Sequence, residues 1–224
     1  MRTIRNLIVA LCMILLSASL LHGQDLSKYR NFPFGMSLVE LSKQLDLKPL
    51  DTKLIHKQPA VIQELAWWPR DPSGSSPQAD SVWQVLFTFY NGELYRILVT
   101  YDRHRTEGLS REDMVEAISA EYGTATRPTV EISFPTNELY ISTEKVIARW
   151  EDSDYSFNLF RSTVLNTFGL VMFSKPLDAQ VRAAIAAAIK LEGQENGQRK
   201  TERQKKETGD LEVARQKNRK TFRP

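Results

Sequence analysis

The spacing of apolar residues along the chain predicts helices. The first begins with a capping box, in which Ser37 caps the helix and Glu40 stands three residues later. The second repeats this arrangement with Ser110 and Asp113 and stops at Gly123. The apolar residues of both helices recur at helical spacing: Leu38, Leu41 and Leu45 in the first, and Met114, Ile118 and Tyr122 in the second.

Two segments with the residue alternation of β-strands, 82–90 and 93–102, flank Asn91 and Gly92. This dipeptide favours a tight hairpin turn. A two-residue loop would place Phe87 opposite Arg96, whereas a three-residue loop with Gly92 in a bulge gathers the apolar residues on one face. Burial of one face fixes the register of a hairpin, so we predict the bulged turn, with Arg96 on the polar face. The predicted apolar face contains Trp83, Val85, Phe87, Tyr95, Ile97 and Val99.

A second hairpin is predicted between residues 146 and 159. In this hairpin, even-numbered residues of the first strand pair with odd-numbered residues of the second, so the loop must have an even number of residues. We choose the two-residue loop Asp152 and Ser153. Further strands are expected at residues 61–68 and 168–173. The predicted cross-strand pairs of the hairpin are Trp150 with Tyr155, Ala148 with Phe157, and Val146 with Leu159.

The predicted order is helix, three strands, helix, three strands, helix, which belongs to the α+β class. We expect tandem αβββ units with antiparallel sheets covered by helices, plus a C-terminal helix. The first unit spans residues 24–107, and the second, with the closing helix, spans residues 108–192. A step of 73 residues relates Gly35 to Gly108, which favours internal duplication. Chance recurrence of two capped helices is the alternative.

The third helix should begin near residue 176 in an alanine-rich run of high helix propensity and end near residue 192. Its apolar stripe is Val181, Ile185 and Ile189. Residues 193–224 are rich in charged and amide side chains and cannot bury enough surface to offset the entropy of ordering. We predict a disordered tail or a frayed, solvent-exposed helix.

Residues 1–23 have the features of a secretory signal peptide. Arg2 and Arg5 precede an apolar run of 15 residues. A membrane-spanning helix needs ~20, so we expect cleavage after Gly23 or Gln24 and no transmembrane segment afterwards. An uncleaved anchor is the alternative.

The pattern of cysteines and glycosylation sites favours bacterial export. The one cysteine, Cys12, lies in the signal segment and follows Leu11 rather than the small residue that a lipidation signal requires. The remaining chain has no cysteine for disulfides and no Asn-x-Ser/Thr acceptor site. We therefore expect a periplasmic or secreted protein of a bacterium.

The net charge is unevenly distributed along the chain. The formal charge is +3, of which the signal segment contributes +2 and residues 192–224 contribute +4, so the folded body carries −3. The sequence pI of 8.9 therefore reflects the tail and gives no reason to expect nucleic-acid binding. The tail is either simply solvated or attaches weakly to an anionic envelope surface.

Few residues of the sequence are candidates for catalysis or for metal binding. His104 could act as a general base oriented by Asp102, but no nucleophile accompanies it, and an exposed loop histidine is the simpler interpretation. Asp152 and its acidic neighbours suit a turn better than a calcium site. Phosphate-binding loops, zinc-binding helices and nucleophile elbows are absent from the sequence. We predict no catalytic residue, no metal ligand and no cofactor.

Aromatic and arginine residues are the remaining candidates for a partner site. Trp67 and Trp68 are adjacent, so on a strand they face opposite sides, and one of them could contact a partner. Together with Arg70 and Arg96 they form the predicted partner-binding set. We expect an exported, non-enzymatic binding or scaffold protein whose partner is another envelope protein. A small-ligand carrier and an enzyme that uses His104 are the alternatives.

The stretch Gly35, Met36, Ser37, Glu40 and Leu41 resembles a helix-opening motif of bacterial envelope proteins. It is similar to motifs of the BamE-like (SmpA/OmlA) outer-membrane assembly lipoproteins and of the beta-lactamase inhibitory proteins. The second resemblance implies tandem helix-plus-sheet units that bind an enzyme across a concave sheet. The chain departs from the first family in lacking a lipidated cysteine, and from the second in lacking disulfides.

Overall fold

The structure is a computed structural model that describes residues 25–57, 59–69, 80–135 and 141–221. The predicted signal peptide and Arg70 lie outside these residues. A short 3-10 helix (Pro49–Asp51) precedes β3. The elements follow in the order β1 (Lys28–Tyr29), β2 (Phe32–Pro33), α1 (Leu38–Gln44), β3 (Lys53–His56), β4 (Ile62–Trp67), β5 (Val82–Tyr90), β6 (Glu93–Tyr101), α2 (Arg111–Tyr122), β7 (Glu131–Pro135), β8 (Ile141–Glu151), β9 (Tyr155–Arg161), β10 (Phe168–Ser174) and α3 (Lys175–Thr221).

Strands β3 to β10 form one antiparallel sheet in the order β3-β4-β5-β6-β10-β9-β8-β7. Helix α1 precedes the first four of these strands and α2 precedes the last four, so two halves share the same element order. The halves meet where β6 pairs with β10, with Thr100 opposite Gly169 and Arg96 opposite Phe173. The predicted α+β class is confirmed.

Each half contributes four strands to the sheet, whereas the sequence predicted three. The two strands that were missed, β3 and β7, are the edges of the sheet. β3 is short, and Lys53 and Leu54 are both exposed, so no alternation of buried and exposed residues marks it. β7 ends at Pro135, and proline within a sheet is confined to edges, strand ends and bulges.

Both predicted capping boxes are present. Ser37 Oγ accepts the N–H of Glu40 at 3.2 Å, and the Glu40 carboxylate accepts the N–H of Ser37 at 3.1 Å. In α2, Ser110 Oγ accepts the N–H of Asp113 at 3.1 Å, and Asp113 accepts that of Ser110 at 2.7 Å. These helix starts agree with internal duplication, which stays a prediction.

The hairpin of β5 and β6 pairs odd-numbered with odd-numbered residues over much of its length, as predicted, but its turn differs and its register is shifted by two residues from that of a three-residue loop. Asn91 and Gly92 both have positive φ (50° and 87°) and form a two-residue turn. The bulge lies in β6 at Tyr95 rather than at the turn, and it gives the register in which Val85 lies opposite Val99. Tyr95 therefore leaves the predicted apolar face and packs toward α3.

Trp83 also leaves the predicted face. A second irregularity in the pairing, between Val82 and Gln84, makes Trp83 an extra residue on β5. Val82 is buried in the core, whereas Trp83 is exposed. The bulge arises from pairing with β6, so the alternation of residues along β5 does not reveal it.

The hairpin of β8 and β9 has the predicted even loop, placed one residue later. Trp150 pairs with Phe157 rather than with Tyr155, so the loop is Ser153 and Asp154. The reason is local: Asp152 Oδ1 accepts the N–H groups of Asp154 at 2.8 Å and Tyr155 at 2.7 Å. This side-chain turn extends β8 and fixes the pairing.

The main core lies between the sheet and the helices α1 and α2. Tyr122 of α2 meets Phe157 edge to face, with ring centroids 4.9 Å apart. Trp150 is fully buried, and its Nε1 donates to the carbonyl of Gly123 at 2.9 Å. The core is completed by residues that include Leu41, Phe87, Phe89, Ile97, Met114, Ile118, Leu159 and Leu170.

Helix α3 packs on the other face of the sheet with its first turns and then continues to Thr221. Val181 forms a buried cluster with Ile62 and Tyr95. The predicted end near residue 192 and the disordered tail are therefore wrong, and the solvent-exposed helix is the interpretation that holds. Lysine, arginine, glutamate and glutamine have good helix propensity, and no proline interrupts this segment before its last residue.

Candidate functional site

The buried contacts of α3 lie at one end of its face of the sheet, around Ile62 and Tyr95. We call the rest of that face the open face, and within it Thr88, Ser156 and Asn158 are buried by their neighbours. The strand registers place two rows of residues across it. The first row contains Glu64, Thr88, Arg96, Phe173, Ser156 and Glu151, and the second contains Ala66, Leu86, Leu98, Val171, Asn158 and Arg149.

Two arginines on the open face are held in place. Arg96 Nε donates to Thr88 Oγ1 at 3.4 Å, and its guanidinium lies 5.7 Å from the ring centroid of Tyr95. Arg149 Nε donates to Asn158 Oδ1 at 2.6 Å. These contacts reduce the entropy that each side chain would lose on binding a partner.

Glu64 lies in the same row as Arg96, with Thr88 between them. Burial raises the pKa of Glu64 above its ordinary value, and the positive charges of Arg96 and Lys53 oppose this shift in pKa only in part. The open face therefore contains a half-buried carboxylate that ionises at a higher pH than an exposed glutamate, because burial raises its pKa.

An apolar group lies beside the polar rows. Phe160 and Val171 are buried and pack with Leu98 and Ile132. The ring of Phe160 lies directly over Gly169 on the neighbouring strand, where a side chain would meet it. These side chains thus form an apolar cluster on the open face around the junction of the two halves and in the second half.

The adjacent tryptophans have different environments. Trp67 packs in the core, with ring centroids 5.8 Å from Phe32 and 6.3 Å from Phe87. Trp68 is 52% exposed and directly follows β4, and the alternation of β4 continued by one residue places it on the side of the open face. Trp83 is 51% exposed and stands on the neighbouring strand near the same end.

The structure brings together part of the predicted partner-binding set. Arg96 and Trp68 belong to the open face, about 13 Å apart along the strand direction. Trp67 is partly buried and its ring packs against the core, so less of it is available to a partner. Trp83 joins the set, and the bulge that exposes it is visible only in the paired sheet.

His104 lies exposed in the turn that follows β6. The carboxylate of Asp102 accepts the N–H of Arg105 at 3.0 Å, so it stabilises this turn. This arrangement gives no support to a catalytic role of His104. Within the described ranges, no three His, Cys, Asp or Glu side chains stand close enough to hold a metal ion.

The chain matches no protein-family model, no curated protein and no solved structure. In the part of the chain that the structure describes, no helix combines the length and the apolar character needed to cross a membrane.

Proposed function

We propose that the protein is an exported, non-enzymatic binding or scaffold protein of the bacterial cell envelope, and that another envelope protein docks on its open face. The observation that carries this proposal is the pair Trp68 and Trp83, both half exposed, the first directly after β4 and the second on the neighbouring strand β5. Tryptophan and arginine supply much of the binding energy of protein interfaces. Arg96 and Arg149 stand in fixed positions on the same face.

The resemblance of the Gly35 to Leu41 stretch supports the choice of this face. The beta-lactamase inhibitory proteins, which have a similar motif, bind an enzyme across a concave sheet. The sheet of this protein is continuous over both halves, so one partner could contact Trp68 in the first half and Arg149 in the second.

The exposed part of α3 is proposed to add a weak electrostatic contact with an anionic surface. The side chains at positions 202–217 are exposed, and the segment that contains them is net basic. Such contacts act over roughly a Debye length, about 8 Å at physiological salt, and are not specific.

Photo-crosslinking in the native envelope tests the docking face. A photoreactive amino acid replaces Trp68, Trp83 or, as a matched control, Leu54. Leu54 is 51% exposed, which matches the exposure of Trp68 and Trp83 within a percentage point. Its partner in the sheet is Gln63, so Leu54 lies on the face of the sheet opposite to the open face. We expect the same protein adduct from positions 68 and 83 and none from position 54.

A further variant tests whether the crosslinked protein binds through the open face or only happens to lie near it. Arg96→Gln keeps a hydrogen-bond donor for Thr88 but removes the charge, and we expect it to weaken the adduct at position 83. Equal adducts from all three positions, or adducts at none of them, would contradict docking on the open face. Recovery of the unprocessed chain from the cytoplasm would contradict export.

A further inference from the structure

We propose that one end of the sheet contacts an anionic phospholipid surface through the turn between β9 and β10. This turn, residues 162–167, carries Val164 and Leu165, whose side chains are 81% and 60% exposed. Adjacent aliphatic side chains that protrude this far add nothing to the core. They are suited to the interfacial layer of a bilayer, where apolar side chains leave water.

The turn is held from inside the fold. Glu144 of β8 is buried, and its carboxylate accepts the N–H of Thr163 at 3.1 Å and the hydroxyl of the same residue at 3.3 Å. The N–H of Leu165 donates to Ser162 Oγ at 3.1 Å. The tip is therefore presented in one conformation, and little ordering entropy is lost when it enters a surface.

Arginines stand beside this tip. Arg161 is the last residue of β9, and Arg103 and Arg105 lie in the loop after β6, with all three side chains exposed. β6 pairs with β10, so this loop leaves the sheet at the same end as the turn. Glu107 is the exposed acidic residue of the same loop. Among the exposed side chains of these two loops and Arg161, three arginines stand against one carboxylate, whereas Asp102 and Glu144 are buried and accept backbone N–H groups.

A protruding apolar tip flanked by cations matches a lipid surface better than a protein surface. Lipid headgroups rearrange around an inserted side chain, whereas a protein partner would need a pocket of matching shape. The cations select anionic headgroups, because each Lys or Arg close to such a surface gains from its negative potential. The contact is independent of the protein partner proposed for the open face.

The tip and the basic part of α3 can be tested separately. The turn precedes Phe168 at one end of β10, whereas α3 begins at Lys175, after Ser174 at the other end. Val39 supplies a matched control position: it is 65% exposed, and it lies at the start of α1, where Leu38 N–H bonds to Gly92 at the opposite end of the sheet.

The experiment measures binding of the purified mature chain, residues 24–224, to phospholipid vesicles. This chain has no cysteine of its own, so a cysteine that replaces Leu165 or Val39 carries an environment-sensitive fluorophore. The vesicles contain phosphatidylglycerol with phosphatidylethanolamine, or phosphatidylcholine alone as the neutral comparison. We expect a blue shift at position 165 with the anionic vesicles, none at position 39, and little binding to the neutral vesicles.

Substitutions give the second readout. Val164→Ser with Leu165→Ser should weaken binding to anionic vesicles at least about tenfold, while Val39→Ser leaves it unchanged. Arg103→Gln with Arg105→Gln should weaken it by about tenfold and flatten its salt dependence. Circular dichroism checks that each variant is folded. We expect all of them to fold, because the substituted side chains are exposed.

Several results would overturn the proposal. One is unchanged binding of the Val164→Ser and Leu165→Ser double variant; another is an equal shift at both labelled positions. A third is loss of binding only after Lys205→Gln with Lys206→Gln, which would assign the contact to α3. A fourth comes from a photoreactive amino acid placed at position 165 in the native envelope. Crosslinking of this position to a protein and not to lipid would overturn the proposal.

Discussion

Gly169 is the position at which one added methyl group tests the packing of the open face. A Cβ atom placed there would lie 2.8 Å and 2.9 Å from two carbons of the Phe160 ring, well inside van der Waals contact. Phe160 is only 4% exposed and packs with Val171, so the ring has little room to move. Crowding of this kind costs about 1–3 kcal/mol.

The same substitution also has a stabilising effect, which is smaller than the cost of crowding. Alanine reduces the conformational freedom of the unfolded chain and thereby stabilises the fold by about 0.4–1 kcal/mol where its backbone conformation is allowed. We therefore expect Gly169→Ala to lower the free energy of unfolding by about 1–2 kcal/mol. Urea denaturation followed by circular dichroism measures this quantity.

Gly209→Ala is the matched control, because nothing lies within 4 Å of the added Cβ in the exposed part of α3. That variant should be neutral or slightly more stable. Shortening Phe160 to leucine in the Gly169→Ala background should recover part of the loss, so the double variant is less destabilised than the sum of the two single variants. A Gly169→Ala protein as stable as the parent would refute the packing argument.

Two further predictions concern charge and capping. The pKa of Glu64 is raised in the fold, so the folded state binds more protons and stability falls as the pH rises through this pKa. Glu64→Gln should therefore stabilise the protein near neutral pH, and the gain should vanish below the ordinary pKa of 4.5; a constant gain would argue against this origin. Ser110→Ala removes the acceptor for Asp113 N–H and should cost about 1 kcal/mol in urea denaturation. Ser110→Thr, which keeps the hydroxyl, should cost less, and equal losses would exclude capping as the cause.

The features that were predictable from the sequence are set by neighbouring residues. The capping boxes at Ser37 and Ser110 involve residues three apart, so the pattern contains all of the information that they require. The odd-with-odd parity of β5 and β6 was also predictable, because only that parity buries Val85, Phe87 and Ile97 together.

The features that were missed depend on contacts between distant segments. The bulges at Trp83 and Tyr95 are irregularities in the pairing of β5 with β6, which the alternation of residues along either strand alone does not reveal. Edge strands β3 and β7 pair on one side only and need no alternation of apolar residues. The predicted partner-binding set, which stays a prediction, therefore contains Trp68 and Arg96 but not Trp83, whose exposure depends on a bulge.

The pairing of β6 with β10 determines whether the open face exists as one surface. Thr100 and Gly169 are 69 positions apart in the sequence and face each other across this junction, so the pairing is the long-range step in building the sheet. Helix α3 begins directly after β10, in the second half, and buries Val181 against Ile62 and Tyr95 in the first half. It therefore connects the two halves on the side that the partner would use. A partner that spans Trp68 and Arg149 would bind only the paired sheet, so binding itself should stabilise the β6–β10 junction.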